Sequence, residues 1–426
     1  MKKLGLSFFP AYDWAISPTH PEREERLLYT QDQLFEEGID DLDMIEFINP
    51  ILLDERDLQR VHFILPNLVT ESHLIAAGGA YEVYKKHMHK EVEKGFALVR
   101  PPGHHAHKVV FGDRGFCIIN VGAVALEKIR SEFGPLKVAI VDTDAHHGDG
   151  TEDIYWNDPN TLVISMHQDG RTLYPGSGAI SDFGGPSAYG LNVNIPLPPN
   201  TGESGFLYVL DNLVMPILED FKPDIIINSA GQDNHYSDPL TNMNFTAQGY
   251  AKLNERLNPN LAILEGGYSI ETALPYINLG IVLAMAGLDY SDIIEPDYSK
   301  SKTAQTSEIT SYIEELVDVI YDNWSNRELL AKSKYDDKDY VVEYKNIFYD
   351  TSNIKETQTR HYHLCEMCPG YEVIESKSDF NTEIIGVHIP QTACDLCKEK
   401  GIEKYKKSKS DFVFLQNRID DEYYTK

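Results

Sequence analysis

Short apolar runs alternate with longer segments of helical spacing along the chain as far as Gly287. The runs with the length and composition of buried strands are Leu4–Phe9, Val61–Leu65, Phe96–Val99, Val138–Val141, Leu162–Met166, Ile225–Ile227 and Leu261–Leu264. Helical periodicity falls between them, in Ser72–Glu91, Val121–Phe133, Glu203–Phe221 and Thr246–Leu257. This alternation predicts an α/β fold with a mainly parallel sheet flanked by helices on both faces.

The pattern weakens after Gly287 and suggests how the chain is divided. One further helix is predicted at Ser307–Asn323, and residues 327–360 are polar and punctuated by Asp and Lys. We therefore expect a main domain over 1–325, a helical and polar connecting region over 326–357, and a small C-terminal module over 358–426. A length of 426 residues fits more than one average domain.

Composition excludes some classes of protein. No apolar run is long enough to predict a membrane span. The N-terminus makes a poor signal peptide because Pro10 and Asp13 interrupt its apolar stretch, so a cytoplasmic location is expected. The formal net charge of −29 makes nucleic acid an unlikely partner and favours cationic ones, although simple solubility explains the charge equally well.

The richest chemistry follows the predicted strand Val138–Val141, in the segment DTDAHHGDG at 142–150. The carboxyl ends of parallel strands are where α/β sheets bind ligands. Asp144 and His146 are two residues apart, so in extended backbone their side chains point the same way. Carboxylate oxygen and imidazole nitrogen converging on one point suit a divalent metal, zinc among the candidates.

Three other strand ends carry reactive residues. His104 and His105 follow one strand and could serve as a proton-transfer pair. Asp233 and Asp238 follow a second strand. Tyr268 follows Gly266 and Gly267 after a third strand, where small neighbours let its hydroxyl project into a site. Each feature alone could be an ordinary polar loop, but four such strand ends together predict an active site.

These segments together resemble the histone deacetylase superfamily, which includes bacterial histone deacetylase-like amidohydrolases and acetylpolyamine amidohydrolases. The resemblance runs from about His20 to about Gly287. The matching pieces are RPPGHHA at 100–106, GFC at 115–117, DTDAHHGDGT at 142–151, LYPGSG at 173–178, AGQDNHYSDPL at 230–240 and LEGGY at 264–268. The resemblance implies the three-layer arginase/deacetylase-like fold and a zinc-dependent amidohydrolase that removes acetyl or other acyl groups from lysine side chains.

The resemblance also implies roles for individual residues. Asp144, His146 and Asp238 are the expected ligands of a catalytic zinc. His104 and His105 are the expected proton-transfer pair, with His105 as the general base. Asp142 and Asp149 are their expected carboxylate partners, and Tyr268 is expected to hydrogen-bond the substrate carbonyl.

Further residues are expected to bind the substrate and a second ion. Phe116 and Tyr174 are expected to wall an acyl-lysine channel, with Gly115, Phe245 and Gly267 beside it. Asp142, Ser165 and Met166 resemble the family's potassium site. The expected partner is an acylated lysine in a protein or peptide, or another acylated amine, and a homo-oligomer is compatible with the sequence.

Alternatives remain open at this stage. An acetylpolyamine or other small-amide deacetylase shares the same chemistry, although apolar Phe245 weakens that interpretation. A binuclear manganese hydrolase of the arginase type is disfavoured because Asp233-Asn234-His235 offers no second Asp-x-Asp pair. A non-enzymatic scaffold is disfavoured because it has no need for His104, His105 and Tyr268 together.

Four cysteines form two Cys-x-x-Cys pairs near the C-terminus: Cys365, Cys368, Cys394 and Cys397. In a chain expected to be intracellular, this spacing favours a structural zinc site in a zinc-ribbon-like module over disulfides or free thiols. The fifth cysteine, Cys117, is expected to be a buried structural thiol.

Overall fold

The computed structural model describes residues 2–65, 67–296, 298–336 and 338–426. Its strands are β1 (Lys2–Phe9), β2 (Ile45–Ile48), β3 (Phe63–Ile64), β4 (Val92–Val99), β5 (Val109–Val110), β6 (Val138–Asp142), β7 (Thr161–Gln168), β8 (Asn192–Leu197), β9 (Ile225–Ala230), β10 (Leu261–Leu264), β11 (Tyr340–Tyr349), β12 (Ile354–His363), β13 (Tyr371–Ser378), β14 (Glu383–Ile389), β15 (Phe412–Asn417) and β16 (Glu422–Thr425). Its α-helices are α1 (Glu25–Glu36), α2 (Glu55–Gln59), α3 (Glu71–Met88), α4 (Val121–Phe133), α5 (Asp149–Tyr155), α6 (Glu203–Val209), α7 (Met215–Phe221), α8 (Ala247–Leu257), α9 (Leu274–Ala286), α10 (Ser307–Ser325), α11 (Arg327–Tyr335) and α12 (Asp395–Lys407).

The main domain is built on an eight-stranded sheet in the order β2-β1-β4-β10-β9-β6-β7-β8. Every neighbouring pair in it is parallel. Parallel strands need crossover connections, and the helices supply them on both faces. The predicted parallel α/β architecture is therefore confirmed.

Two apolar clusters lie on opposite faces of this sheet. One includes Leu27 of α1, Ile277 of α9 and Trp324 of α10. The other includes Tyr84 of α3 and Leu126 of α4. Because both faces are covered, the strands are buried along most of their length, as β6 and β7 are throughout.

The second sheet has six strands in the order β11-β12-β13-β14-β15-β16. Only β14 and β15 pair in parallel, and α12 connects them. The predicted four-cysteine module belongs to this sheet, which begins at Tyr340 rather than at residue 358. Strand β11 pairs with β12 along its full length, so much of the region 326–357 is part of the sheet and not a connection.

The two sheets share a core and buried ion pairs. Phe63 of β3 and Val109 of β5 pack with Ile374 and Phe414 of the second sheet. At Gly386 an added Cβ would lie 2.2 Å from the Phe63 ring, so the two units approach closely. A shared apolar core fixes the C-terminal sheet against the main domain.

Charged groups reinforce this contact between the main domain and the C-terminal sheet. Arg360 of β12 donates to Asp153 of α5 at 2.7 Å, and both side chains are buried. Lys108 donates to Glu372 at 2.9 Å. Glu127 of α4 accepts from Arg418 of the C-terminal sheet and from Arg130 at 2.9 Å.

Among the described residues, no helix is both long and apolar enough to cross a membrane.

We predict that protonation of Glu127 in acid weakens the contact between the main domain and the C-terminal sheet. Burial would raise the pKa of this carboxyl, but the charges of Arg418 and Arg130 outweigh it and lower the pKa from the ordinary 4.5 to about 2. The pair therefore stabilises the fold fully above pH 4.5 and loses its contribution as the pH falls towards 2. Glu127→Gln should lower the melting temperature at pH 7 and flatten its dependence on pH over this window, as measured by thermal unfolding.

The exposed Glu399 of α12 supplies the matched control. Glu399→Gln should leave the unfolding profile unchanged. Equal profiles for wild type and Glu127→Gln would contradict a stabilising role for the buried carboxylate.

Candidate active site

Two adjacent histidines lie in a buried pocket at the carboxyl edge of the main sheet. His104 Nδ1 lies 3.0 Å from Asp142 Oδ2, at the end of β6. His105 Nδ1 lies 2.7 Å from Asp149 Oδ1, at the start of α5. The two ring centroids are 4.1 Å apart. The structure thus brings together both predicted histidine–carboxylate pairs.

The surroundings of the two histidines shift their pKa values in opposite directions. Burial disfavours the cation of His104, but the nearby Asp144 and Asp142 outweigh burial and hold its pKa well above the usual value. Burial and the charge of His104 lower the pKa of His105 to about 3, despite the hydrogen bond to Asp149. A pair whose pKa values are pushed apart can hold a proton on one member and accept one on the other.

Asp149 has more partners than the sequence pattern indicated. Its Oδ2 lies 3.1 Å from His107 Nε2 and accepts from Arg114 Nε at 3.0 Å. Burial would raise the pKa of this carboxyl, but Arg114 and His105 keep it well below its usual range. Asp149 therefore stays ionised and can orient His105. His107 and Arg114 directly adjoin the RPPGHHA and GFC segments, so proximity to those motifs was the available signal.

Glu265 is another buried acid whose role the sequence analysis missed. One of its oxygens accepts from the backbone N–H of Gly103 at 2.8 Å and of His104 at 3.2 Å. It holds the turn that carries the histidine pair. Burial raises its pKa to about 7. It lies within the LEGGY segment, where the sequence analysis assigned roles to Gly267 and Tyr268 and none to the glutamate.

A cluster beside the histidines could hold a metal ion. Ligand atoms of Asp144, His146 and Asp233 all lie within 4.8 Å of one another. His146 Nδ1 is 3.1 Å from Asp144 Oδ1 and 2.8 Å from Asp233 Oδ2. One imidazole and two carboxylates form a suitable ligand set for a catalytic zinc, which takes three protein ligands and keeps one position open.

The charge of this cluster also fits a cation. Burial and the charge of Asp144 raise the pKa of Asp233 to about 6, although His146 opposes the shift. Buried carboxylates this close cannot all ionise cheaply without a compensating positive charge. A divalent ion would supply that charge, so the residues present fit the metal that the sequence predicted.

The sequence prediction gave the third ligand position to Asp238, and that assignment stays a prediction. Asp238 accepts backbone N–H groups, from Leu240 at 2.9 Å and from Tyr268 at 2.7 Å. Such bonds do not distinguish the two carboxylates, because Asp233 also accepts a backbone N–H, from Ala145 at 2.8 Å. Burial and the charge of Asp233 raise the pKa of Asp238 to about 8, so both carboxylates lie close to the cluster.

Tyr268 and Phe116 face each other beside this pocket. Their ring centroids are 5.8 Å apart in an edge-to-face arrangement. The guanidinium of Arg26 lies 5.0 Å from the Tyr268 centroid and donates to the Gly267 carbonyl at 2.8 Å. Burial holds the pKa of the Tyr268 phenol well above its usual value, so it keeps its proton and can donate.

Tyr174 and Gly115 complete the wall next to His105. The Tyr174 ring lies 5.2 Å from the His105 ring. A Cβ added at Gly115 would lie 2.5 Å from His105 Cδ2 and 2.9 Å from Tyr174 Cε1, so only glycine fits there. These residues, with Phe116, lie on one side of the histidine pair, and the acyl-lysine channel stays a prediction.

The structure corrects the prediction for Phe245. Its ring is fully buried and packs on Phe206 at 4.5 Å and on Tyr250 at 4.6 Å. It belongs to the core beneath the sheet and not to a substrate surface. The resemblance placed Phe245 beside the substrate channel, whereas its aromatic neighbours here belong to the core.

The predicted potassium residues are neighbours in the sheet. Asp142 of β6 is paired in register with Ser165 of β7, and Met166 follows it. The hydroxyl of Ser165 lies 2.9 Å from His167 Nδ1. These contacts do not test ion binding, so the potassium site stays a prediction.

The four C-terminal cysteines form the second metal-capable cluster among the described residues. Cys365 Sγ and Cys394 Sγ are 3.9 Å apart. Tetrahedral coordination with Zn–S bonds of about 2.3 Å requires sulfur atoms about 3.8 Å apart. Cys394 precedes α12, and hydrogen bonding to the backbone of Cys397 lowers its thiol pKa to about 7. The arrangement can bind a closed, structural metal ion.

Comparison with known proteins agrees with this site. Residues 60–283 match the model of the histone deacetylase domain. A probable deacetylase of Archaeoglobus fulgidus is 43% identical over 311 residues, which cover 66% of this chain and 85% of that protein. The alignment with human histone deacetylase 7 is 36% identical and covers 50% of this chain and 23% of the human protein. The crystal structure of the HDA15 HD domain is similar, with a TM-score of 0.65, 26% identity, and coverage of 78% of this chain and 98% of that one.

The chain belongs to the histone deacetylase family. It is a deacetylase of that family, a hydrolase acting on amide bonds, and zinc dependence is typical of the family.

We predict that Asp238 is required for metal binding at the active site. Asp238→Ala should reduce the metal content from about two ions per chain to about one, the remaining ion being held by the cysteines. Asp233→Ala is the comparison, because Asp233 contacts His146 in the same cluster. Elemental analysis of the purified variants measures this directly. Loss of the ion in Asp233→Ala but not in Asp238→Ala would assign the third ligand position to Asp233.

We also predict that the cysteine cluster stabilises the second sheet. Cys394→Ser should cost about one metal ion per chain and expose the C-terminal sheet to protease, because structural zinc contributes folding free energy. Met367→Ala is the matched control, since Met367 lies between two of the cysteines and is 77% exposed. Full metal content and unchanged protease resistance in Cys394→Ser would indicate ordinary thiols.

Proposed function

We propose that this protein removes acetyl or other acyl groups from lysine side chains of proteins or peptides. The observation that carries the proposal is the placement of the His104–His105 pair and Tyr268 around one metal-capable cluster, beside a wall of aromatic rings. A proton acceptor, a proton donor and a cation-binding site are the groups that amide hydrolysis by water requires.

Asp144 and His146, with Asp238 as the sequence predicts or Asp233 from its contact with His146, are the residues that would hold the catalytic ion. A zinc ion there would supply Lewis acidity toward the amide carbonyl and make the attacking water more acidic.

The histidines would divide the proton transfers. With its Nδ1 directed at Asp149, His105 presents Nε2 as the acceptor for the proton of the attacking water. His104, whose Nδ1 is directed at Asp142, would hold a proton near the departing amine. Lysine and a carboxylate are then the products.

Tyr268 would donate its phenolic hydrogen to the carbonyl oxygen as negative charge develops there. Asp238 accepts from the backbone N–H of Tyr268, and the guanidinium of Arg26 lies over the Tyr268 ring. Both contacts hold this residue in place. The facing edge of Phe116 and the ring of Tyr174 would confine the methylene chain of the lysine.

A polyamine substrate is the second candidate. The net charge of −29 would attract a polycation to this protein, whereas a neutral acyl-lysine peptide gains little from it. We also keep as proposals the potassium site at Asp142, Ser165 and Met166, a structural zinc at the four cysteines, and the cytoplasmic location.

We predict that Tyr268→Phe lowers kcat on an acetyl-lysine peptide by about 10²–10³-fold with little change in KM, because the hydroxyl acts on developing charge. Tyr276→Phe, a conservative change in α9, is the matched control and should keep wild-type kinetics. An acetylated polyamine is assayed in parallel. Preferential turnover of the polyamine would favour the second candidate, and an active Tyr268→Phe enzyme would contradict the assigned role.

A further inference from the structure

The turn between β11 and β12 of the second sheet lies against the active-site wall. Asp350 begins this turn, and its Oδ1 accepts from the Tyr174 hydroxyl at 2.9 Å and from the Gly115 backbone N–H at 3.0 Å. Both donors belong to the wall beside His105. One carboxylate of the C-terminal sheet therefore bridges two separate segments of the main domain.

Neighbouring residues of the same loop also contact the turn. The Asp113 N–H donates to Ser352 Oγ at 2.9 Å, and an added Cβ at Gly112 would lie 2.5 Å from the same oxygen. Arg114 donates to the Phe348 carbonyl. Asp113 and Gly115 thus hydrogen-bond to the β11–β12 turn, Gly112 leaves room for it, and Arg114 bonds to the adjoining strand.

This loop needs external contacts to keep its shape. Gly115 and Phe116 have φ values of +53° and +67°, and the second is unfavourable for a residue with a side chain. Such a conformation persists only where surrounding contacts hold it. The Phe116 ring, which faces Tyr268, is aimed by this backbone.

A second connection reaches the histidine pair. Arg114 joins the Phe348 carbonyl of β11 to Asp149, which in turn contacts His105. Its guanidinium also lies 5.6 Å from the Tyr174 ring centroid. The C-terminal sheet is therefore connected to both the wall and the proton acceptor.

We propose that the β11–β12 turn is a working part of the substrate channel and that Asp350 is a positioning residue for Tyr174 and the Gly115–Phe116 loop. The proposal rests on the function proposed above. Removing the carboxylate would free the Tyr174 ring and the strained loop, so substrate binding would weaken more than the chemical step. Because one carboxylate accepts from both segments, we also expect the effects of substitutions at Asp350 and Tyr174 to be non-additive.

The test compares full-length Asp350→Ala, Asp350→Asn, Tyr174→Phe and the double variant Asp350→Ala/Tyr174→Phe. With an acetyl-lysine peptide, Asp350→Ala should raise KM by about 10-fold or more and change kcat by less, as expected for the loss of hydrogen bonds to a charged group. Asp350→Asn keeps an acceptor oxygen and should give a smaller rise. The double variant should resemble Asp350→Ala alone, because the Tyr174 hydroxyl has then already lost its partner.

Hydrogen–deuterium exchange gives a readout that does not depend on activity. Residues 111–118 should lose protection in Asp350→Ala. The control is Asp379→Asn, since exposed Asp379 lies on the adjacent turn and pairs through its backbone with Lys355. It should leave both exchange and kinetics at wild-type values.

The outcomes separate the two proposals. Unchanged protection in Asp350→Ala, or an unchanged KM despite lost protection in an active enzyme, would overturn the positioning role. Additive effects of Asp350→Ala and Tyr174→Phe would also overturn it. Lost protection combined with a wild type inactive on every acetylated amine would instead contradict the proposed function and leave the contact itself supported.

Discussion

This structure depends on one constraint, which is that the negative charge of each buried carboxylate must be compensated by a nearby partner. Six of them surround the pocket: Asp142, Asp144, Asp149, Asp233, Asp238 and Glu265. Each has a specific partner, and an isolated buried charge would be prohibitively costly. Asp149 is paired with a guanidinium and imidazoles, whereas Asp238 and Glu265 rely on backbone N–H groups. Asp144 and Asp233 both lie against His146, which explains why a divalent cation is suited to this point.

The C-terminal sheet is connected to the active site because its cationic side chains also pair with buried carboxylates of the main domain. Arg360 and Lys345 neutralise Asp153 of α5, the helix that begins with Asp149. Arg114 then connects Asp149 to strand β11. The second sheet therefore stabilises the helix that orients His105.

Much of the fold followed from local pattern. The strands that became β1, β4, β6, β7, β9 and β10 were predicted because each is a short apolar run, and α3, α4, α8 and α10 were predicted from periodicity. Strand β8 was missed because Asn192, Asn194 and Pro196 interrupt its apolar pattern. Helix α9 was missed because it is apolar on all sides and has no polar face to reveal its period. Val61–Leu65 was predicted as a strand, but only Phe63–Ile64 pairs, outside the main sheet.

The sequence alone determined which residue types stand at the strand ends, because that depends on chain order and on the fixed direction of parallel strands. It placed His104, His105, Asp144, His146 and Tyr268 at one edge of the sheet, and paired the four cysteines by their spacing. Only the tertiary structure placed Phe245 in the core and brought Asp350 to Tyr174. Each of these depends on how a loop turns or how two sheets dock. Such contacts join residues far apart in the chain, and no local spacing encodes them.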